Sequence, residues 1–263
     1  MKQNEIEYQM LQKKLAHEPS LFSFTLEHLK EAALELAWPT RCAICDEPGS
    51  LVCEACKKSL LFCDPWLACP HCGAPFGKDQ CCECNSYTRG KRGLQNTQPF
   101  YCTSYALFTE ESGSIIRCYK DAGEQRLSSF IAACMQSALS PETWQRYNAI
   151  TFIPNSEQAY AKRGFDHMEA IARIIANAQQ LPLLFAFERP QTSDQRKLTQ
   201  QQRLENLTRS FIVRSQLHAL ALPPRILVLD DVMTTGATLR AAASALKSSG
   251  ALSVEGLTFA RVV

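Results

Sequence analysis

The sequence predicts an α/β protein with a largely parallel sheet flanked by helices, preceded by a small cysteine-rich module. Three observations predict it. From residue 101 onward, apolar runs of strand length alternate with amphipathic stretches of helical period, the pattern of strand–helix–strand units. Residues 226–238 (ILVLDDVMTTGAT) place an apolar run, an acidic pair, a hydroxyl- and glycine-rich loop and a helix start in direct succession. Ten of the thirteen cysteines lie between Cys42 and Cys84, eight of them in four Cys-x-x-Cys pairs.

The elements follow in order. Residues 1–37 form a polar, partly helical lead-in, with helical spacing over 24–37 that Pro39 stops. Residues 38–90 form the cysteine-rich, metal-binding module, where little periodicity remains because a metal replaces a core. Residues 91–263 form the α/β domain. Within it, strands are expected at Tyr101–Phe108, Ala149–Ile153, Leu183–Phe187, Ile226–Leu229 and Val254–Ala260. Helices are expected at Glu111–Tyr119, Leu127–Leu139, Phe165–Gln180 and Leu239–Ser249. In Phe165–Gln180, Met168, Ile171, Ala172 and Ile175 repeat at one face. Residues 188–210 read as a polar loop.

At 263 residues and 46% hydrophobic content, the chain can bury a sizeable core in one large domain or two smaller ones. No apolar run approaches the roughly 18 residues that span a bilayer. The N-terminus lacks an apolar signal core. The expectation is a soluble cytoplasmic protein with no membrane insertion. The formal charge is +2. Eight thiolates holding two Zn²⁺ would bring it to about −2. Any nucleic-acid binding therefore needs a local basic patch.

The paired cysteines are Cys42/Cys45, Cys53/Cys56, Cys69/Cys72 and Cys81/Cys84. Each pair points two sulfurs at one metal, and structural Zn²⁺ takes four such ligands. An odd cysteine total and the pairwise spacing argue against a disulfide framework. Neighbours could share a metal, as Cys42, Cys45, Cys53 and Cys56, then Cys69, Cys72, Cys81 and Cys84. A crossed pairing has the same spacing and stays open. Cys82 is an alternative to Cys81. Cys102, Cys118 and Cys134 sit in apolar segments and read as small buried hydrophobes. A closed four-sulfur site predicts structure rather than catalysis.

The 226–238 stretch suits a sugar phosphate. Backbone N–H groups of Thr234, Thr235, Gly236, Ala237 and Thr238, with the threonine hydroxyls, can surround a phosphate at the positive end of a helix. Asp230 and Asp231 can accept hydrogen bonds from sugar hydroxyls and lie close to a bound Mg²⁺. A second loop follows the strand at 149–153. There Asn155, Ser156 and Arg163, with Lys162 and Gly164, could hold a pyrophosphate. From Arg189 to Arg214 six basic residues outnumber Asp194 and Glu205, a net +4 that could close over a phosphate or follow a nucleic-acid backbone.

The acidic pair and the T-T-G-A-T loop resemble the phosphoribosyl-pyrophosphate (PRPP) loop of type I phosphoribosyltransferases. That resemblance implies that Asp230 and Asp231 bind the ribose hydroxyls and that Thr234 to Thr238 hold the 5′-phosphate. It implies a type I phosphoribosyltransferase-like fold. The possible chemistry is Mg²⁺-dependent transfer, in which Arg163 would help stabilise the leaving pyrophosphate. Over residues 38–261 the chain resembles the ComF family, in which cysteine knuckles precede such a domain. The KRGF segment at Lys162–Phe165 and the spaced set Gln195, Leu198, Arg203, Asn206 and Phe211 carry this resemblance. It implies a cytoplasmic role in natural transformation, with imported single-stranded DNA and other competence proteins as partners. The alternative is a non-catalytic scaffold that binds nucleic acid or protein. Two departures stand out: Asp166 and His167 replace the usual Asn and Gln, and Ile153–Ser156 lacks the commoner Val-Pro-Val-Pro-Leu-His pattern. No base-recognition segment is evident, so no acceptor follows.

Overall fold

The computed structural model describes residues 39–94, 99–190, 211–215 and 221–263. The helix expected over 24–37 and most of the basic stretch, including Gln195, Arg196, Lys197, Leu198, Arg203, Asn206 and Arg209, lie outside them. The chain divides into two units, Met1–Cys53 and Glu54–Val263. The sequence places its boundary at residues 90 and 91. The structure keeps cysteines 69–84 in the same unit as the sheet, because the second knuckle shares hydrogen bonds with the first and last strands.

In the first unit, Arg41 and Pro48 form an antiparallel bridge around a tight turn. The turn is closed by Cys42 N–H donating to the Glu47 carbonyl at 2.8 Å.

The second unit opens with two short helices, α1 (Glu54–Ser59) and α2 (Ser86–Lys91). Then come β1 (Cys102–Leu107), α3 (Glu110–Lys120), α4 (Leu127–Ser137), α5 (Pro141–Trp144), β2 (Ala149–Phe152), α6 (Glu157–Arg163) and α7 (His167–Gln179). The chain ends with β3 (Arg225–Met233), α8 (Ala237–Ser248) and β4 (Ser253–Arg261). The four strands form one parallel sheet in the order β1-β4-β3-β2. Helices cover both faces, so the central strands read as continuous apolar runs. Ile226 to Leu229 and all of β2 are buried.

The predicted helices stand within a few residues of their expected limits. The Asp166 side chain caps α7 by accepting from the N–H groups of Met168 and Glu169 at 3.1 and 3.2 Å. Met168, Ile171, Ala172 and Ile175 form its buried face, packed against α4 and the sheet. Each large side chain buried there contributes roughly 1.5–3 kcal/mol.

Three differences from expectation bear on the site. Leu183–Phe187 is not a strand. Leu183 pairs with Ile150 in a single parallel bridge and Phe187 with Val213 in an antiparallel one. Pro182 has no N–H to extend the first ladder. Residues 157–163, read as loop, form α6, because Ser156 caps its start and Gly164 ends it at φ 76°. Finally, β3 does not stop at Leu229. It runs through the acidic pair to Met233, paired with β4 from Asp230↔Thr258 to Met233↔Arg261.

Candidate functional site

The extension of β3 decides where the two carboxylates point. Successive strand residues face opposite sides of a sheet. Asp230 follows Ile226 and Val228 toward the core that includes Leu239 of α8, whereas Asp231 turns toward α3 and α7. The pair is thus split between two environments rather than presented as one acidic patch.

Asp231 is held from two sides. Its Oδ2 pairs with the Lys120 ammonium at the end of α3. The same oxygen lies 2.7 Å from His167 Nε2 at the start of α7. Burial alone would raise this carboxyl, but the His167 hydrogen bond and the Lys120 charge outweigh it, and the group ionises well below the ordinary carboxylate range. Its Oδ1 accepts from the N–H of Val232 at 2.6 Å. Asp230 has the opposite balance. Burial, then repulsion from Asp231, raises its carboxyl well above the usual value. Among the described residues it accepts one hydrogen bond, from the Asp231 N–H at 2.9 Å. Two adjacent carboxylates are thereby driven apart, one fixed as an anion and one costly to ionise, a pattern concentrated at ligand sites.

In the loop after Met233, the Thr235 hydroxyl accepts from the Ala237 N–H at 3.4 Å. Thr234 and Thr235 are exposed, while Gly236 is buried at φ 69°. A Cβ at Gly236 would meet Met233 Cε at 2.5 Å and Arg240 Nη1 at 3.1 Å, so both the conformation and the space call for glycine. Gly236 is the N-cap of α8 and supplies no capping side chain. Ala237 and Thr238 occupy the first turn. Arg240 pins the loop by donating to the Thr235 carbonyl at 2.8 Å.

The second loop meets this one through residues that the sequence reading treated as departures. Asp166 Oδ2 accepts from the Asn155 N–H at 3.0 Å and lies 3.3 Å from the Arg189 guanidinium. His167, the next residue, holds Asp231. Asp166 and His167 therefore join the loop after β2 to the acidic strand. Asn155 is buried, and its amide donates to the Phe165 carbonyl at 3.3 Å. The Ser156 hydroxyl caps α6. Arg163 lies 3.5 Å from Asp121, next to Lys120. All three expected pyrophosphate residues thus have structural partners inside the protein. Lys120 and His167 were not singled out as site residues. Lys120 could have been suspected only as a cation closing a helix whose buried face precedes it, a weak signal.

The cysteines form two groups by neighbour pairing, not crossed. The sulfurs of Cys42, Cys45, Cys53 and Cys56 all lie within 4.8 Å of one another, as do those of Cys69, Cys72, Cys81 and Cys84. Both groups could hold a metal ion such as zinc. In the first group the surroundings of Cys42 favour its thiolate. Burial would raise the Cys42 thiol, yet amides of Cys45, Cys53 and Ile44 bring it down to about 6. In the second group, burial and the neighbouring Cys81 and Cys84 push Cys72 far up, a repulsion that a cation would relieve. Cys82 is exposed and outside the group. Cys102 and Cys134 are buried as expected, and Cys118 partly so.

A groove of about 910 Å³ lies elsewhere in the second unit, along β1. Trp66, 80% exposed, and the partly buried Tyr101 line it with Lys78, His71 and Arg146. The Lys78 ammonium sits 5.9 Å from the Trp66 ring centre. No helix of the described residues is long and apolar enough to cross a membrane.

The described residues thus combine a parallel α/β sheet, whose third strand carries an acidic pair and leads into a hydroxyl- and glycine-rich loop, with two Cys₄ groups. No family model matches the chain. It is 26% identical over 234 residues to the competence protein ComFC of Streptococcus pneumoniae, covering 84% of this chain and all of that protein. It is 25% identical over 218 residues to the competence protein ComFC of Bacillus subtilis, covering 82% of this chain and 86% of that protein. The chain is thus similar to these two competence proteins over more than four fifths of its length. Among solved structures, the orotate phosphoribosyltransferase of Aeropyrum pernix aligns with 53% of this chain and 74% of its own, at 16% identity and a TM-score of 0.31.

Proposed function

We propose that this protein binds PRPP or a related sugar phosphate with Mg²⁺, and serves in the competence process for which its relatives are named. One observation carries the reading. Asp231 is locked by Lys120 and His167 beside Asp230, whose carboxyl has a single hydrogen-bond donor among the described residues, directly ahead of a helix start whose N-cap is a glycine. Ribose hydroxyls would supply the donors that Asp230 lacks. Thr234, Thr235 and the first N–H groups of α8 would take the 5′-phosphate. Mg²⁺ would neutralise the pyrophosphate oxygens and lower the cost of an ionised Asp230. Arg163 would reach the pyrophosphate only by leaving Asp121, so it belongs to a ligand-bound arrangement.

The test is a calorimetric titration of PRPP, with and without Mg²⁺, into zinc-replete protein and into Asp230→Ala/Asp231→Ala. Binding by the wild type and its loss in the variant support the reading. Equal binding, or none by the wild type, overturns it. Pyrophosphate release with candidate acceptors then distinguishes a transferase from a binding protein.

A second reading, single-stranded DNA binding on a non-catalytic scaffold, is favoured by the groove along β1. Trp66 and Tyr101 offer flat surfaces for bases, and Lys78 and Arg146 offer charge for phosphates. Affinity for an oligonucleotide that does not fall with rising salt would contradict it.

A further inference from the structure

The phosphate loop and the second Cys₄ group are joined through one buried arginine. Arg261, the last residue of β4, is fully buried and donates to Glu83 Oε2 at 2.7 Å. Glu83 stands between the ligand candidates Cys81 and Cys84. The other Arg261 amino group lies 3.3 Å from both the Cys72 and the Cys102 carbonyls. The Cys102 N–H donates to the Cys72 carbonyl at 3.3 Å, and a Cβ at Gly73 would fall 2.1 Å from the Cys102 oxygen, so knuckle and strand are in backbone contact.

On its other side Arg261 is paired in register with Met233, and the Val262 N–H donates to the Met233 carbonyl at 2.9 Å. Met233 carries the loop. Its methyl fills the space beside Gly236, and Arg240 closes the same corner by bonding the Thr235 carbonyl. Cys72, Glu83, Met233, Arg240 and Arg261 line one small shared cavity of about 30 Å³. A divalent ion on four thiolates has a net double negative charge, which favours the guanidinium groups packed against it.

We infer that loading of the Cys69, Cys72, Cys81 and Cys84 group sets the conformation of the 233–240 phosphate loop through Arg261, making Arg261 and Glu83 positioning residues for that loop. The inference rests on the sugar-phosphate reading for its functional meaning, and on the contacts alone for the coupling. An empty group would release Glu83 and leave a buried arginine against loose chain, and the loop would lose the strand end that Met233 is paired with.

Hydrogen exchange of the full-length protein, with zinc content measured alongside, tests this. In Cys81→Ser/Cys84→Ser, one metal equivalent should be lost and amides of 233–240 should exchange about tenfold faster or more, while those of α7 stay as in the wild type. Cys42→Ser/Cys45→Ser should lose metal and leave 233–240 unchanged. Arg261→Lys, which keeps the charge but not the two-pronged donor, should retain both metals and still speed exchange of 233–240. Retained metal with wild-type exchange in Arg261→Lys overturns the inference, and that variant decides if the cysteine variant fails to fold. A wild type that binds no PRPP, with loop exchange still following the metal, defeats the sugar-phosphate reading but not the coupling. PRPP binding with loop exchange indifferent to Arg261 does the reverse.

Discussion

His167 Nε2 lies 2.7 Å from Asp231 Oδ2, closing a buried link between the first turn of α7 and the acidic end of β3. With the carboxylate ionised, Nε2–H is the donor, and Nδ1 is buried without a partner among the described residues. Lys120 grips the same oxygen from α3. Three elements thus meet on one oxygen, and the stability of the site should depend on it.

Asp231→Asn removes the charge that both partners require. Lys120 would be left as a largely buried, unpaired cation, and breaking such a pair costs about 3 kcal/mol or more. Urea unfolding should show the midpoint fall with the slope unchanged. Stability equal to the wild type would mean that Lys120 finds water instead.

His167 and Lys120 share one acceptor, so their contributions should not add. A double-mutant cycle with His167→Ala and Lys120→Met should give a coupling of about 1 kcal/mol, well outside the additivity seen for distant sites. A coupling near zero would separate the two contacts.

Asp230 should respond in the opposite direction. Its folded carboxyl is raised, so the ionised form opposes folding, and Asp230→Asn should raise the melting temperature while weakening sugar-phosphate binding. The pH dependence follows with opposite signs. Asp231, whose carboxyl is depressed when folded, stabilises the protein above its unfolded value near 3.8 and loses that contribution as pH falls below it. Asp230 gives stability back as pH falls through its raised value. Acid titration of the Asp230→Asn variant should therefore show only the loss at low pH, whereas the wild type shows a gain before it.

Zinc should bind at about two ions per chain. Chelation should melt the knuckles, since such segments have little core apart from the metal. The small cluster of Cys69, Cys72 and Ala74, with Cys81 and Cys84 against it, is such a case. Metal analysis of the purified protein and loss of near-UV structure on chelation check this.

Much of the architecture was legible because it follows from period and spacing. The apolar face of α7 and the Cys-x-x-Cys pairs are local patterns, and they appear where expected. Neighbour pairing of the cysteines needed the structure, since spacing permits both arrangements. The split of Asp230 from Asp231 was not legible. It depends on β3 continuing past its apolar run through Asp230 and Asp231 to Met233, which pairing with β4 imposes rather than any propensity of Asp. Likewise Asp166 and His167 looked like departures from a family pattern. In three dimensions Asp166 caps α7 through a local contact, while His167 secures Asp231, a contact across 64 residues of sequence that no local pattern records.

The central claim is that the acidic pair reads the ribose and the loop reads the phosphate. It is tested most directly by titrating ribose 5-phosphate and inorganic phosphate into the wild type and Asp230→Asn. The wild type should favour ribose 5-phosphate. Asp230→Asn should weaken that ligand by about tenfold or more, the cost of a lost bond to a charged group, and leave inorganic phosphate unchanged. Equal affinity for the two ligands in the wild type, or an equal loss of both in the variant, would contradict the account.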